Sequence, residues 1–166
     1  YPIAVVLPDN VTDERRQLLV LYGSQIIDSP GSLGSNGAVA MAKDLVAADR
    51  RYVMPYQYGN PANPGVHEAT TAEEIIEACP EVDVFVAGLG TGGTLMGVGR
   101  RLKRYRPDIR IFAAEPLPGD EVQGLRSLAE GFIPEIFDPT VLDGKLLTIA
   151  DLQPGDSVIV PSFTFT

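Results

Sequence analysis

Glycines and threonines near the middle of the chain form its densest group of potential ligand-binding positions. Residues 84–87 are apolar, residues 88–94 are rich in glycine and threonine, and a helical pattern opens around Leu95. The first N–H groups of a helix have no intrahelical acceptor and carry a partial positive charge, so they attract anions. Glycines allow close approach of the backbone, and the hydroxyls of Thr91 and Thr94 add donors. This pattern predicts a strand, a phosphate-binding loop and a helix.

The residues of this loop are compatible with two phosphate ligands and with no ligand at all. Gly88, Gly90 and Gly93 match the G-x-G-x-x-G pattern of dinucleotide-binding proteins. Glu115 follows the next predicted strand, about where an acid would bind the ribose of a dinucleotide. Two threonines instead suit a phosphate monoester, because a compact dianion needs many short donors. A strand-to-helix turn without a ligand is the third interpretation. The local sequence favours the monoester and leaves the other two open.

Predicted strands and helices alternate along the chain and would position this loop. Strands are predicted at residues 3–7, 25–27, 52–56, 84–87 and 109–114, and helices at residues 13–22, 36–48, 71–78 and from about 95. Such alternation indicates an α/β fold with doubly wound parallel sheets. Residues 60–63 predict a turn, because Asn and Pro fix turn geometry. Near the end of the chain, residues 154–156 predict another turn and residues 158–160 a strand.

Composition limits the classes of partner. The net charge is −9 at pH 7, which argues against nucleic acid and anionic membranes as partners. No apolar run is long enough to span a bilayer, and the first residues lack the pattern of a secretory signal. Cys79 is the only cysteine, so no disulfide forms within the chain. We therefore expect a cytoplasmic protein that binds small anions through local donors, and we predict no metal site.

Five blocks of residues resemble the cysteine synthase and cystathionine β-synthase family, the β-type pyridoxal phosphate enzymes. Gly90-Thr-Gly-Gly-Thr94, followed by Gly97-Val-Gly-Arg100, is similar to the cofactor-phosphate loop of that family. The other blocks, in matching order and spacing, are residues 8–19, residues 57–64 with His67 just beyond, residues 114–116 and residues 130–134. The resemblance covers about residues 1–142 and is more specific than a single glycine loop.

The resemblance implies a partial two-lobe fold like that of the tryptophan synthase β subunit. Residues 1–50 would belong to a small mobile α/β lobe and residues 51–142 to a large lobe that binds pyridoxal phosphate. Residues 143–166 depart from the family pattern and are expected to form an atypical tail. The chain opens at Tyr1 with an apolar strand that has no partner before it, so we expect a fragment of a longer protein.

The resemblance also assigns roles to single residues. It implies that pyridoxal 5′-phosphate is the cofactor and that its phosphate is held by Gly90, Thr91, Gly92, Gly93 and Thr94. Gln57 matches a glutamine that faces the amino-acid substrate, although a hydrogen bond to its own chain is an equal alternative. Gly131 would allow close approach beside the cofactor ring. His67, the only histidine, is expected to be structural rather than catalytic.

One position bears on the substrate. Residues 124–134 differ from the glycine-rich pattern of the O-acetylserine branch and are closer to O-phosphoserine sulfhydrylase, in which an arginine meets the substrate phosphate. Arg126 occupies that position in this chain. A guanidinium binds phosphate through two parallel donors, which an acetyl ester does not match. A surface arginine without this role is an equal alternative.

The implied reaction is β-replacement, in which a sulfur nucleophile displaces acetate or phosphate and gives L-cysteine. The sulfur donor would be sulfide or a thiocarboxylate, and the parent enzyme would be a homodimeric transferase. Family members hold the cofactor through a Schiff-base lysine in a Ser-x-Lys segment, and no such segment is visible here. Lys43, Lys103 and Lys145 are predicted to be solvated surface lysines. We therefore expect an isolated chain without activity, with a non-catalytic dinucleotide- or anion-binding α/β module as the alternative.

Overall fold

The chain folds as two compact units, Tyr1–Pro55 and Tyr56–Thr166. The computed structural model describes residues 1–118, 122 and 124–148. Within this part of the chain, no helix is long and apolar enough to cross a bilayer. The predicted turn at residues 154–156 and the predicted strand at residues 158–160 lie outside the described residues.

The first unit is a parallel two-stranded sheet with two helices. Its elements are strand β1 (Ala4–Pro8), helix α1 (Asp13–Leu21), strand β2 (Gln25–Ser29) and helix α2 (Gly34–Ala48). The strands β1 and β2 pair in parallel, with Ala4 opposite Gln25. The helix α1 ends at Leu21, and Gly23 just beyond it has a positive φ of 75°, which is accessible to glycine at little cost.

The described residues of the second unit form a parallel three-stranded sheet and three α-helices, with short 3₁₀ helices at Leu128–Glu130 and Pro139–Val141. Its elements are α3 (Ala62–Ala69), α4 (Thr71–Ala78), β3 (Val84–Gly88), α5 (Gly93–Tyr105), β4 (Arg110–Pro116) and β5 (Gly144–Thr148). The strand order is β3-β4-β5, and both pairings are parallel. The carboxyl end of β3 leads directly into α5, so the glycine and threonine loop lies at the edge of the sheet where ligands of open α/β folds bind.

The core of this unit is built around α5. Apolar side chains of α5, of β4 and of the residues next to β3 and β4 are fully buried: Leu89, Leu95, Met96, Val98, Leu102, Ile109 and Ile111. The helix α5 also packs closely on α3, because Gly97 has no side chain. A Cβ atom at Gly97 would lie 2.2 Å from the carbonyl oxygen of Pro64 and 2.8 Å from Cβ of His67. The pair α3 and α5 therefore touch backbone to backbone.

The predicted α/β fold with parallel sheets is confirmed, and most predicted elements are present. The predicted strand at residues 52–56 was wrong, because Pro55 has no N–H to donate and Tyr56 has a φ of 44°, outside the extended region. Residues 60–63 form the predicted turn, which leads into α3: the N–H of Asn63 donates to the carbonyl of Asn60 at 3.0 Å, and the side-chain oxygen of Asn60 accepts from the N–H of Ala62 at 2.9 Å. The strand β5 was not predicted at all.

The division of the structure falls after Pro55. The assignment of residues 1–50 and 51–142 to a mobile lobe and a cofactor lobe stays a prediction, as does the atypical tail at residues 143–166. Residues 144–148 of that tail do extend the sheet as β5, which pairs with β4 from Phe112 opposite Gly144 onward.

Replacing Gly97 by alanine tests the close packing of α3 on α5. Because both neighbours in the way are a backbone carbonyl and a rigidly placed Cβ, we expect Gly97→Ala to lower the free energy of unfolding by about 2–3 kcal/mol. Gly65→Ala in α3 is the control, since a Cβ there meets nothing within 4 Å. It should raise stability by less than about 1 kcal/mol. Equal urea midpoints for the two variants would contradict this account of the packing.

Candidate functional site

The loop between β3 and α5 turns sharply and points helix amides at its concave side. Leu89 anchors its start, because the N–H of Leu89 donates to the carbonyl of Ala114 at 2.8 Å. Gly92 caps α5 with a φ of 87°, a left-handed conformation that strains other residues. The N–H of Met96 closes the first helical turn on the carbonyl of Gly92 at 2.9 Å. The amides before Met96 have no acceptor one turn earlier, which makes this helix end an anion site.

Two other loop glycines are required by close neighbours. A Cβ atom at Gly90 would lie 2.7 Å from the carbonyl oxygen of Gly124. A Cβ atom at Gly93 would lie 1.9 Å from the side-chain oxygen of Asn63. Gly92 and Gly93 are buried, whereas Thr91 and Thr94 are half-buried. The glycines thus bring a second layer of groups against the loop, and the threonine hydroxyls stay within reach of a ligand.

Asn63 and His67, both on α3, supply that second layer. The amide nitrogen Nδ2 of Asn63 donates to Oγ1 of Thr91 at 3.0 Å and to the backbone carbonyl of Gln57 at 2.8 Å. The ring nitrogen Nε2 of His67 lies 3.3 Å from Oγ1 of Thr94. Its Nδ1 lies 3.0 Å from Oγ1 of Thr71 at the start of α4. Each loop threonine is therefore held by a side chain of α3.

Burial sets the charge of His67. Loss of hydration lowers its pKa below the ordinary value of 6.5, so the ring is neutral at pH 7. A neutral ring carries one N–H and one acceptor nitrogen, which suits a bridge between two hydroxyls. The expected structural role of His67 stays a prediction, and the hydrogen bonds to Thr94 and Thr71 are compatible with it.

Arg126 lies beside the same loop and is tightly held. Its backbone N–H donates to the carbonyl of Leu89 at 2.7 Å. Cζ of its guanidinium lies 4.9 Å from the ring centre of Tyr58 and 4.7 Å from that of Phe132, and these two rings contact each other edge to face. Nη2 also donates to the hydroxyl of Tyr58 at 3.0 Å. Arg126 is half-buried and its guanidinium plane is fixed, unlike that of a freely solvated arginine.

Glu115 is not available to a ribose. It lies within β4 and is 3% exposed, and its two carboxylate oxygens accept from Lys145 Nζ at 2.8 Å and from the N–H of Leu128 at 3.0 Å. Because Glu115 is engaged in these contacts, the loop lacks the acidic residue that would bind the ribose of a dinucleotide. Lys145 is exposed, as predicted for a surface lysine, and β5 also brings its ammonium group against this buried carboxylate.

The remaining predicted residues lie on the surface of the second unit. The side chain of Gln57 is exposed, and its backbone carbonyl is the group that contacts Asn63. Gly131 is exposed, has a φ of 86° and ends a one-turn 3₁₀ helix. A Cβ atom at Gly131 would meet nothing within 4 Å among the described residues. Glycine is therefore favoured here by the backbone angle and not by close packing. The roles of Gln57, Arg126 and Gly131 toward a substrate stay predictions.

The crook formed by residues 90–94 fits a phosphate group. A phosphate monoester is an acceptor-only dianion, and the crook offers it helix amides and two hydroxyls. Three of its five residues are glycines, and the hydroxyls of Thr91 and Thr94 are hydrogen-bonded to side chains of α3. Among the described residues, no carboxylate forms a hydrogen bond with residues 90–94. The donor set therefore matches the phosphate end of pyridoxal 5′-phosphate.

Comparison with known proteins agrees with this match. The family model described as pyridoxal-phosphate dependent enzyme matches residues 1–153, so the chain belongs to the family of pyridoxal phosphate-dependent enzymes. The cofactor of this family is pyridoxal 5′-phosphate. The predicted resemblance to cysteine synthases is confirmed as well. A cysteine synthase of Staphylococcus aureus strain Mu50 is 40% identical over 159 residues, which cover 87% of this chain and 51% of that protein.

Solved structures of the same class have the same fold. An O-ureido-L-serine synthase is 35% identical with a TM-score of 0.78, over 89% of this chain and 49% of that one. A cysteine synthase from Entamoeba histolytica is 31% identical with a TM-score of 0.75, over 89% and 46%. A hydrogen sulfide-producing enzyme from Fusobacterium nucleatum is 33% identical with a TM-score of 0.75, over 89% and 52%. The chain spans about half the length of the curated relatives it matches.

Sequence reasoning missed three residues that the structure brings to this region. Asn63 was assigned to a turn, Tyr58 was not considered, and Lys145 was assigned to the surface without its partner Glu115. The available signal for Asn63 was its position in the first turn of an amphipathic segment that ends with His67. Tyr58 and Lys145 carried no comparable signal, because their partners are 68 and 30 residues away along the chain.

The pH dependence of stability tests the burial of His67. Because its folded pKa is lower, the unfolded chain binds the proton more tightly, and stability is lost as the pH falls from about 6.5 toward the folded pKa. We expect the urea midpoint of the wild type to decrease between about pH 7.5 and about pH 5.5. His67→Gln, which cannot gain a proton, should show a smaller decrease. Identical decreases in both proteins would contradict a buried, neutral His67.

Proposed function

We propose that this chain is the cofactor-phosphate part of a cysteine synthase, an enzyme that replaces the β-substituent of an activated serine by a sulfur nucleophile. The single observation that carries the proposal is the crook at residues 90–94, in which helix amides and two fixed hydroxyls converge. Membership of the pyridoxal phosphate-dependent family and 40% identity to a cysteine synthase support the same assignment.

Several groups of the chain would act on a bound cofactor. The amides of the first turn of α5 and the hydroxyls of Thr91 and Thr94 would hold its phosphate and fix its position. The exposed side chain of Gln57 is free to turn toward the substrate carboxylate. When bound, pyridoxal 5′-phosphate supplies the electron sink that stabilises negative charge on the substrate α-carbon. The chain thus contributes binding and orientation.

The proton transfers of β-replacement need a basic lysine, and the three lysines of this chain are poorly suited to that role. Lys103 pairs with Asp143 at 2.7 Å, and Lys145 pairs with Glu115 at 2.8 Å. Lys43 lies in α2 of the other unit and already interacts with another group. We therefore propose that this chain alone does not catalyse cysteine formation. Release of cysteine from O-phosphoserine or O-acetylserine and sulfide by the isolated chain would contradict that proposal.

The position of the Arg126 guanidinium favours O-phosphoserine over O-acetylserine as the substrate. Contacts with the rings of Tyr58 and Phe132 and the hydrogen bond to the Tyr58 hydroxyl hold the guanidinium, which lowers the entropy lost when two parallel donors bind a phosphate. An acetyl ester carries no charge to match. The sulfur donor, the homodimer and the cytoplasmic location stay predictions.

Binding of pyridoxine 5′-phosphate, compared with pyridoxine, tests the phosphate crook. Neither compound has an aldehyde, so no lysine is needed, and the difference in affinity reports the phosphate alone. We expect the wild type to prefer the phosphorylated compound. Gly92→Ala should reduce this preference about tenfold or more, because a φ of 87° strains alanine and shifts the helix cap.

Gly23→Ala is the matched control for that experiment. Gly23 has a similar φ of 75°, lies in the other unit, and has nothing within 4 Å of its missing Cβ. It should lose a similar amount of stability and keep the preference for the phosphate. Equal affinities of the wild type for pyridoxine 5′-phosphate and pyridoxine would contradict the proposed function. A preference for a dinucleotide over both would favour the non-catalytic module.

Replacing Arg126 by lysine tests the substrate. The protein is saturated with pyridoxal 5′-phosphate and titrated with O-phospho-L-serine or O-acetyl-L-serine. We expect Arg126→Lys to weaken O-phospho-L-serine about tenfold, because lysine keeps the charge and loses the stacked fork, and to leave O-acetyl-L-serine unchanged. Arg110→Lys is the control, since Arg110 also stacks on a ring, 5.8 Å from the centre of Phe112. Equal losses for both substrates would contradict the assignment.

A further inference from the structure

We infer that Asn63 is a positioning residue of the phosphate crook: it forces the hydroxyl of Thr91 to act as a hydrogen-bond donor toward the phosphate. The inference rests on the proposed function and deepens it, because it explains how a hydroxyl that could accept or donate is committed to one role. Four groups carry it: the carbonyl of Gln57, the side-chain amide of Asn63, the hydroxyl of Thr91 and the N–H of Gly93.

The carbonyl of Gln57 fixes which way the Asn63 amide points. The distance from Nδ2 of Asn63 to this carbonyl oxygen is 2.8 Å. A carbonyl only accepts, so the side of the amide facing Gln57 must be the nitrogen. The nitrogen has two hydrogens, and the second one points at Oγ1 of Thr91, 3.0 Å away. The amide therefore presents a donor, and not its oxygen, to the threonine.

Two donors then occupy both acceptor positions of the Thr91 hydroxyl. Oγ1 accepts from Nδ2 of Asn63 at 3.0 Å and from the N–H of Gly93 at 3.3 Å. A hydroxyl has two lone pairs and one hydrogen, so the hydrogen is the only polar group it has left. Within residues 1–118, 122 and 124–148, no protein acceptor is recorded for that hydrogen. Thr91 can therefore only donate to a ligand. This favours a phosphate, which only accepts hydrogen bonds, over a group that only donates them.

Gly93 is part of the same device. The side-chain oxygen of Asn63 occupies the place where a Cβ of Gly93 would stand, 1.9 Å from its ideal position. Any side chain there would push Asn63 away from Thr91. Glycine at the first position of α5 therefore leaves room for the polar side chain of Asn63.

A double-mutant cycle on the full chain tests the inference, with pyridoxine 5′-phosphate and pyridoxine as probes. Asn63→Ala and Thr91→Val should each lower the affinity for pyridoxine 5′-phosphate about tenfold, as expected for one charge-assisted hydrogen bond, and leave pyridoxine unchanged. The double variant should bind like Thr91→Val alone, because Asn63 acts only through that hydroxyl. Thr91→Ser should keep the affinity of the wild type.

Asn60→Ala is the matched control, since the side chain of Asn60 accepts from the N–H of Ala62 at the start of α3, three residues before Asn63. It should leave the preference for the phosphate unchanged. If Asn63→Ala fails to fold by circular dichroism, Asn63→Ser replaces it in the cycle, as a polar side chain too short to hold both partners.

Three results would overturn the inference. They are additive losses in the double variant, an equal loss for pyridoxine, and an unchanged affinity in Asn63→Ala. If the wild type prefers the phosphorylated compound but the cycle is additive, only the role of Asn63 is rejected and the proposed function stands. A wild type without that preference rejects the proposed function and the inference with it.

Discussion

The close contact between α3 and the start of α5 is the constraint on which the rest of the site depends. Gly93 and Gly97 are the points of contact, and both lack room for a Cβ atom. Only this approach lets Asn63 and His67 reach the loop threonines. A helix end with bare amides is a general feature of proteins, but hydroxyls held from behind by a second helix make a preorganised site. The packing of α3 on α5 therefore also positions the hydrogen-bonding groups of the site.

Attraction of an anion by this chain has to be local. The net charge of −9 disfavours anions at long range, and the loop at residues 90–94 carries no charged side chain of its own. Donors within hydrogen-bond distance therefore supply the attraction, with the partial charge of the α5 terminus. Arg126 lies near the loop, and its guanidinium contacts two aromatic rings and the hydroxyl of Tyr58.

Features encoded by neighbouring residues could be predicted from the sequence, and features made by distant residues could not. Apolar runs bounded by turn residues predicted β3, and a glycine-rich loop before a helical pattern predicted the crook at residues 90–94. The helix α3 was missed because Asn60 and Pro61 are typical of turns, although both also start helices. The ion pair of Glu115 with Lys145 was unpredictable, because it exists only once β5 pairs with β4. The same ion pair removed the dinucleotide interpretation.

The most direct test of the central claim is a ¹H–¹⁵N NMR titration of the full chain with pyridoxine 5′-phosphate. If the crook at the start of α5 holds the phosphate, the amide signals of residues 90–94 shift most, with Asn63 and His67 following, and inorganic phosphate perturbs the same set. Shifts centred elsewhere in the chain, or no shift of the loop amides at saturating ligand, would contradict the account.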